Sequence, residues 1–419
     1  MITDQLFNPR SITVVGASED TTKPGGALLS NLKANGFKGE LMAVNPKAGG
    51  SVQGVPAYRN VEDLPETDLA ILAIAAKFCP QTVDVLCRQK GCKAVIIISA
   101  GFSEDSETGA LMEKQIVATC NECGATLIGP NCVGVLTPTY TGVFTQPIPH
   151  LASDAIDFVS GSGATIVFIL EVAMQLGLQF SSIFSIGNCA QTGVEDMLEY
   201  YDRTYVHGKS AQIKMLYIEN IGDPERLLRH ASSLTSKGAV ICAIKSGYSA
   251  AGSRAASSHT GAMASPDKAV DALFRKAGII RCYGRTDLVT TAAVLMGHKP
   301  DNNRMAIITH AGGPAVMLTD VLATHGIEIP HIEGEKAQEL LDKLYPGSSV
   351  GNPIDFLATG NAEQLGHIID ACERDFDVGS MAVIFGNPGL TSVYDVYDMV
   401  LRKQKECRKC IFPIFTSPI

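Results

Sequence analysis

Three times along this chain the same opening recurs: an unbroken apolar strand, a turn of glycines and small residues, then a helix. Residues 11–16 lead through Ala17-Ser18 to a helix after Pro24-Gly25-Gly26. Residues 157–160 lead through Gly161-Ser162-Gly163 to a helix over 164–176. Residues 305–309 lead through Ala311-Gly312-Gly313-Pro314 to a helix from 315 to about 325, with Gly326 as its left-handed stop. The turns begin near 16, 161 and 311, about 150 residues apart, which is a common domain length.

Further apolar runs alternate with amphipathic stretches after each opening. Strands are expected at 41–44, 69–74, 94–98 and 126–128, then at 181–185, 213–218 and 239–245, then at 381–385 and 410–415. These runs do not alternate with polar residues, so both faces of each strand are expected to be buried, as in parallel sheets. Strand–helix alternation over the whole length predicts an α/β fold of three consecutive doubly wound domains with right-handed crossovers. Their expected spans are 1–136, 154–296 and 304–419. The segment 137–153, broken by Pro138, Pro147 and Pro149, and the segment 297–303 are expected to be linkers. The third region reaches its last strand with no helix to cover it, which predicts a domain completed by further chain or by a partner.

Composition narrows the partners. Charged residues make up 18% against 46% hydrophobic, below the ~25% charge of typical domains and consistent with a large core. The balance of 34 basic to 43 acidic residues gives −9 with no basic stripe, so nucleic acid is not an expected partner. The longest apolar runs, near 69–76 and 94–98, fall far short of the ~20 residues that span a bilayer, so no membrane is expected either. Residues 1–10 carry no apolar signal core, and twelve cysteines without one imply reduced thiols in a cytoplasm. The pairs Cys120/Cys123 and Cys407/Cys410 lack the Gly/Pro knuckle of zinc sites. They are expected to be helix-end thiols, with no metal.

In doubly wound sheets ligands sit beyond the strand C-termini, where free helix N–H groups and the macrodipole favour an anion. The first turn, Val14-Val15-Gly16-Ala17-Ser18, lacks the G-x-G-x-x-G spacing and has a longer loop containing Lys23. After the second strand comes Asn45-Pro46-Lys47, where a dinucleotide site usually has an acid for the ribose. A lysine there suits a ribose phosphate, which both coenzyme A and NADP carry. In the second turn, Ser160-Gly161-Ser162-Gly163, hydroxyls and bare amides can ring a phosphate, although Ser-Gly is also a common N-cap.

His259 lies in a Gly/Ala/Ser-rich run from 249 to 265, expected to be a mobile loop. That placement suits a nucleophile that travels; the plain alternative is a surface histidine. Glu219 closes the strand Met215-Leu216-Tyr217-Ile218. Its carboxylate could fix the tautomer of an imidazole and support a phosphoimidazole. It could equally be a helix-start acid before Asp223-Pro224-Glu225.

With these residues the chain resembles the NDP-forming acyl-CoA synthetases, specifically the portion that carries CoA and the phosphohistidine in ADP-forming acetyl-CoA synthetase. Over its first two thirds it is also similar to the succinyl-CoA synthetase α subunit. The matching stretches are residues 14–18, Val44-Asn45-Pro46-Lys47, Ser99-Ala100-Gly101-Phe102, Gly129-Pro130-Asn131-Cys132, residues 160–163, Tyr217-Ile218-Glu219, Ser257-Ser258-His259-Thr260-Gly261, His310-Ala311-Gly312-Gly313-Pro314 and Asn352-Pro353-Ile354-Asp355. Each is weak alone, but their order and spacing cover nearly the whole chain.

The resemblance implies an N-terminal Rossmann-like CoA-binding domain followed by two flavodoxin-like domains. It implies that Gly16, Ala17, Ser18, Lys23 and Lys47 bind the nucleotide part of CoA. Ser99, Gly101 and Asn131 line the pantetheine and acyl region, and Ser162 and Gly163 hold phosphate. His259 is then the phosphorylated histidine and Glu219 its carboxylate partner. The implied reaction interconverts acyl-CoA, ADP and phosphate with acid, CoA and ATP, acetyl-CoA being the expected substrate. ADP/ATP with Mg belongs to an ATP-grasp portion not seen in this sequence, expected as a separate subunit or fused domain in an oligomer. One departure is Gly161, where the family usually has a larger polar residue. The alternatives are a CoA-binding regulatory protein or an acyltransferase-linked relative without synthetase activity, against which His259, Glu219 and Ser162 all speak. An NADP oxidoreductase would leave the histidine run and the third domain without a role.

Overall fold

The computed structural model describes residues 2–260, 266–297, 299–386 and 393–415, with the side chains of 256–260 outside the description. Strands β1 Ser11–Val15, β2 Glu40–Val44, β3 Ser51–Val52, β4 Val55–Tyr58, β5 Leu69–Leu72, β6 Ala94–Ile97 and β7 Thr126–Ile128 form the first sheet. Its order is β3-β4-β2-β1-β5-β6-β7, parallel apart from the β3/β4 hairpin. Every residue of β1, β5 and β6 is buried, as expected for strands covered on both faces. Helices α1 Pro24–Ala34, α2 Cys79–Gln89 and α3 Glu107–Cys123 flank this sheet.

The second sheet comprises β8 Gly134–Leu136, β9 Thr141–Val143, β10 Leu151–Ser160, β11 Phe180–Ser185, β12 Ile213–Ile218, β13 Val240–Lys245 and β14 Ile279–Cys282, in the order β14-β13-β12-β10-β11-β8-β9. Its helices are α4 Gly163–Gln175, α5 Val194–Thr204, α6 Pro224–Ser236, α7 Ala250–Thr260, α8 Asp267–Ala277 and α9 Arg285–Leu295. One continuous apolar core runs beneath the first and second sheets, from Leu28 and Ile96 through Cys132 and Val135 to Phe184 and Leu216.

Residues 1–292 and 293–419 are two compact units. The second unit holds β15 Met305–Thr309, β16 Ile354–Asp355, β17 Ser380–Phe385 and β18 Cys410–Phe415 in the parallel order β16-β15-β17-β18. Helices α10 Gly312–Thr324, α11 Glu335–Leu341, α12 Ala362–Arg374 and α13 Tyr394–Glu406 accompany it. The order repeats that of β11-β10-β12-β13, and the turns repeat too. Ser160 Oγ donates to Ser162 O at 2.8 Å and accepts Ser162 N–H at 3.1 Å. Thr309 Oγ1 does the same with Ala311, at 2.8 and 2.9 Å.

Two expectations are corrected. The segment 137–153 is not a plain linker: β9 lies within it, pairing antiparallel with β8, which pairs antiparallel with β11. Pro138 falls in the turn of that hairpin, so the prolines punctuate short strands rather than preclude them. The run around His259 is not wholly loop, because residues 250–260 form α7. Ser249 Oγ accepts the Gly252 N–H at 3.0 Å, a helix N-cap bond. Behind it Ala250, Ala251 and Ala255 are the strongest of helix formers. Residues 261–265, the rest of that run, lie outside the described residues.

Candidate functional site

The first sheet changes direction between β1 and β5, because the chain runs outward from β1 to β2 and β4 and then returns to the other side. Ligands bind at such a switch point, beyond the strand ends. Gly16 ends β1 there with φ +89°, and a Cβ on it would lie 2.4 Å from Ala73 O. Glycine is therefore required both by the backbone conformation and by the close approach of the chain leaving β5. A Cβ on Gly25 would come within 2.0 Å of Gly16 O, so the first turn of α1 sits directly on this turn.

Asn45 Nδ2 donates to Ala17 O at 2.7 Å, tying the ends of β1 and β2. Ser18 Oγ accepts the Asp20 N–H at 3.1 Å. Lys47 is exposed just past β2, its N–H held by Asn45 Oδ1 at 2.8 Å. Lys23 is exposed and stands 3.7 Å from Asp20. Gln53, which sequence reasoning missed, clamps this loop by donating to Ser18 O and Gly26 O at 2.7 and 2.9 Å. Ser99, just past β6, donates its hydroxyl to Ile74 O. Gly101, at φ +103°, gives its N–H to Glu104 Oε1 at 2.7 Å.

A second group of residues lines a cleft of about 570 Å³ that includes Asn131, Gly161, Ser162, Gly163, Glu219 and Arg226. Asn131 links the two groups: its N–H bonds Ser99 O at 3.0 Å, and its Nδ2 reaches Asn188 Oδ1 at 3.3 Å. The second sheet has its own switch point between β10 and β12. There Gly161 N–H donates to Tyr217 O at 3.0 Å. A Cβ on Gly161 would lie 3.5 Å from Glu219 Cγ, an ordinary contact, so Glu219 lies beside the turn and a Cβ at 161 has room.

Three helices, α4, α5 and α6, begin at this cleft. Two of these helix ends are already answered by carboxylates. On α5, Asp196 Oδ2 accepts Gly193 N–H at 2.8 Å. On α6, Asp223 Oδ1 accepts Arg226 N–H at 3.0 Å, while buried Glu195 takes the Asp223 N–H at 2.6 Å. The α4 end carries a neutral cap, Ser162 Oγ, which accepts from Thr165 N–H at 3.4 Å and Thr165 Oγ1 at 2.9 Å. The first N–H groups of a helix have no intrahelical partner, so the α4 end offers donors of the kind an incoming anion takes.

The surroundings are acidic. Burial, with Glu195, Glu219 and Asp196 nearby, pushes the Cys189 thiol well up, which disfavours its thiolate. Burial and Glu219 likewise raise the Tyr217 phenol. Burial works to raise the Glu104 carboxyl, but hydrogen bonds from Asn188 and Gly101 outweigh it and hold it below its ordinary value. Burial lowers the Lys245 ammonium, which sits at the end of β13 near Glu219. Lys245, Asn188 and Glu195 were absent from the sequence reading. Lys245 and Asn188 lie at or just past strand ends, the signal that pointed to Glu219.

The backbone of His259 lies in the last turn of α7, and its side chain lies outside the described residues. Among the described residues no group of three His, Cys, Asp or Glu side chains is arranged to hold a metal ion. No described helix is long and apolar enough to cross a membrane.

A CoA binding domain model matches residues 10–138, and a succinyl-CoA ligase-like flavodoxin domain model matches residues 153–295. The chain is 37% identical over 361 residues to the acetate–CoA ligase [ADP-forming] II alpha subunit of Pyrococcus furiosus, covering 86% of this chain and 77% of that subunit. It is 32% identical over 407 residues to acetate–CoA ligase [ADP-forming] I of Archaeoglobus fulgidus, covering 96% of this chain but 58% of that longer protein. The solved dinucleotide forming acetyl-coenzyme A synthetase 1 of Ca. Korarchaeum cryptofilum, in complex with phosphate and ADP, superposes with a TM-score of 0.87 at 27% identity. That match covers 98% of this chain and 88% of the other.

Proposed function

The chain belongs to the ADP-forming acetate–CoA ligases, on the side of their alpha subunits, and from that premise we propose that it makes an acyl phosphate from acyl-CoA and carries its phosphoryl group on His259. Acetyl-CoA is the expected substrate. CoA lies across the β1/β5 crevice over Gly16, Ala17 and Ser18, with Lys23 and Lys47 toward its phosphates. Ser99, Gly101 and Asn131 lead the pantetheine toward the cleft. Phosphate sits on the α4 end at Ser162 and Gly163. A phosphate oxygen attacks the thioester carbon, the C–S bond breaks, and CoA leaves as thiolate to be protonated from solvent. A nitrogen of His259 then attacks phosphorus, and the acid leaves as carboxylate. Glu219 supports the imidazolium that carries the phosphoryl group.

Transfer to ADP, with Mg, belongs to an ATP-grasp subunit or fused domain, and the whole works as an oligomer in the cytoplasm. The spans 1–136, 154–296 and 304–419 are the corresponding CoA, phosphohistidine and third modules. The observation that carries the reading is the neutral cap on α4, which leaves donors for one anion beside Glu219. Incubation with acetyl-CoA and radiolabelled phosphate should yield an acid-labile, base-stable phosphoprotein. CoA binding without such labelling would favour a regulatory CoA-binding protein instead.

Lys47 gives a separate test of the nucleotide assignment. A charge-assisted bond to a phosphate contributes ~1.5–3 kcal/mol. Lys47→Ala should therefore weaken CoA roughly tenfold or more and leave dephospho-CoA nearly unchanged, as read by titration calorimetry. Equal losses for the two ligands would mean that Lys47 supports the loop or touches the diphosphate.

A further inference from the structure

Forming an acyl phosphate joins the acyl carbon to a phosphate oxygen. Whatever hangs from that carbon therefore lies within a bond or two of the anion on the α4 turn. One apolar side chain stands against that turn. Val133 lies between β7 and β8, and its N–H donates to Ser185 Oγ at 3.1 Å, which fixes its backbone to the end of β11. Its Cγ1 lies 2.7 Å from where a Cβ on Gly163 would be, so a methyl group abuts the first residue of α4. Val133 is only partly buried and lines the cleft, and Ile98, Cys132 and Phe144 supply further apolar lining. Arg226 is the one lysine or arginine among the described lining residues. Its guanidinium is held by Asp196 at 2.7 Å and by Glu199 through Nε at 2.6 Å. Among the described lining residues a second carboxylate on the acyl group would meet Glu195, Asp196 and Glu219 and no lysine or arginine outside that ion pair.

We infer that Val133 sets the length of the acyl group, the chain ending against its methyls. The inference rests on the phosphate placement proposed above. A methylene gained or lost in an apolar pocket changes discrimination by roughly 10–200-fold. Val133→Ala should therefore raise the ratio of kcat/KM for butyryl-CoA over acetyl-CoA about tenfold or more. The assay is single-turnover, phosphate-dependent CoA release by the full chain at limiting thioester, followed chromatographically. Val133→Ile should shift the ratio the other way, and it carries the test if the alanine variant fails to fold. Unchanged ratios in active variants would overturn the role of Val133 alone. If the wild-type chain released no CoA from either thioester with phosphate present, the phosphate-site reading itself would be overturned, and Val133 with it.

Discussion

His259→Ala is expected to abolish phosphoryl labelling while leaving CoA affinity nearly intact. The two functions are assigned to different sheets, and the substitution places the best helix former in the last turn of α7. Labelling with acyl-CoA and radiolabelled phosphate measures the first effect, and calorimetry with CoA the second. Label retained on histidine in the variant would mean that another of the nine histidines is the acceptor.

Glu219→Gln should lower the single-turnover phosphorylation rate by ~10²-fold or more, the range usual for positioned acid–base partners. The amide keeps the shape of the side chain beside Gly161 but removes the charge that would support a phosphoimidazolium. A structural acid at the start of a loop would show no such loss. Wild-type rates in rapid-quench measurements would return Glu219 to that plain role.

Much of the fold was legible because its strands are unbroken apolar runs. The last strand was expected at 410–415 and is Cys410–Phe415; the one expected at 69–74 is Leu69–Leu72. Beyond Leu72, Ala73 N–H still bonds Val15 O at 2.8 Å, so the ladder fades rather than stops. The hairpins β3/β4 and β8/β9 went unread because strands of two to four residues are too short to show a period. Helix α7 was hidden because its serines and Gly252 favour turns and so mask the helix preference of its alanines, until the Ser249 cap decides.

The site was legible in part. Glycines that must be glycine and acids at strand ends leave a local mark in the sequence. Contacts across the fold do not. Asn188 Nδ2 donates to Glu104 Oε2 at 2.5 Å across 84 residues of chain, and no local pattern announces the pair. Neither could the sequence say that Glu195 takes the Asp223 N–H across 28 residues of chain.

The continuous core beneath the first and second sheets bears on how two diffusing substrates come to react. The crevice that would hold CoA and the turn that would hold phosphate grow from the same packed interior and are tied at their mouths by Asn131 and Asn188. Their spacing is established when the chain folds, not at each encounter. Once both ligands are bound, attack on the thioester becomes an intramolecular event. Well-oriented events of that kind reach effective molarities of about 10⁵–10⁸ M.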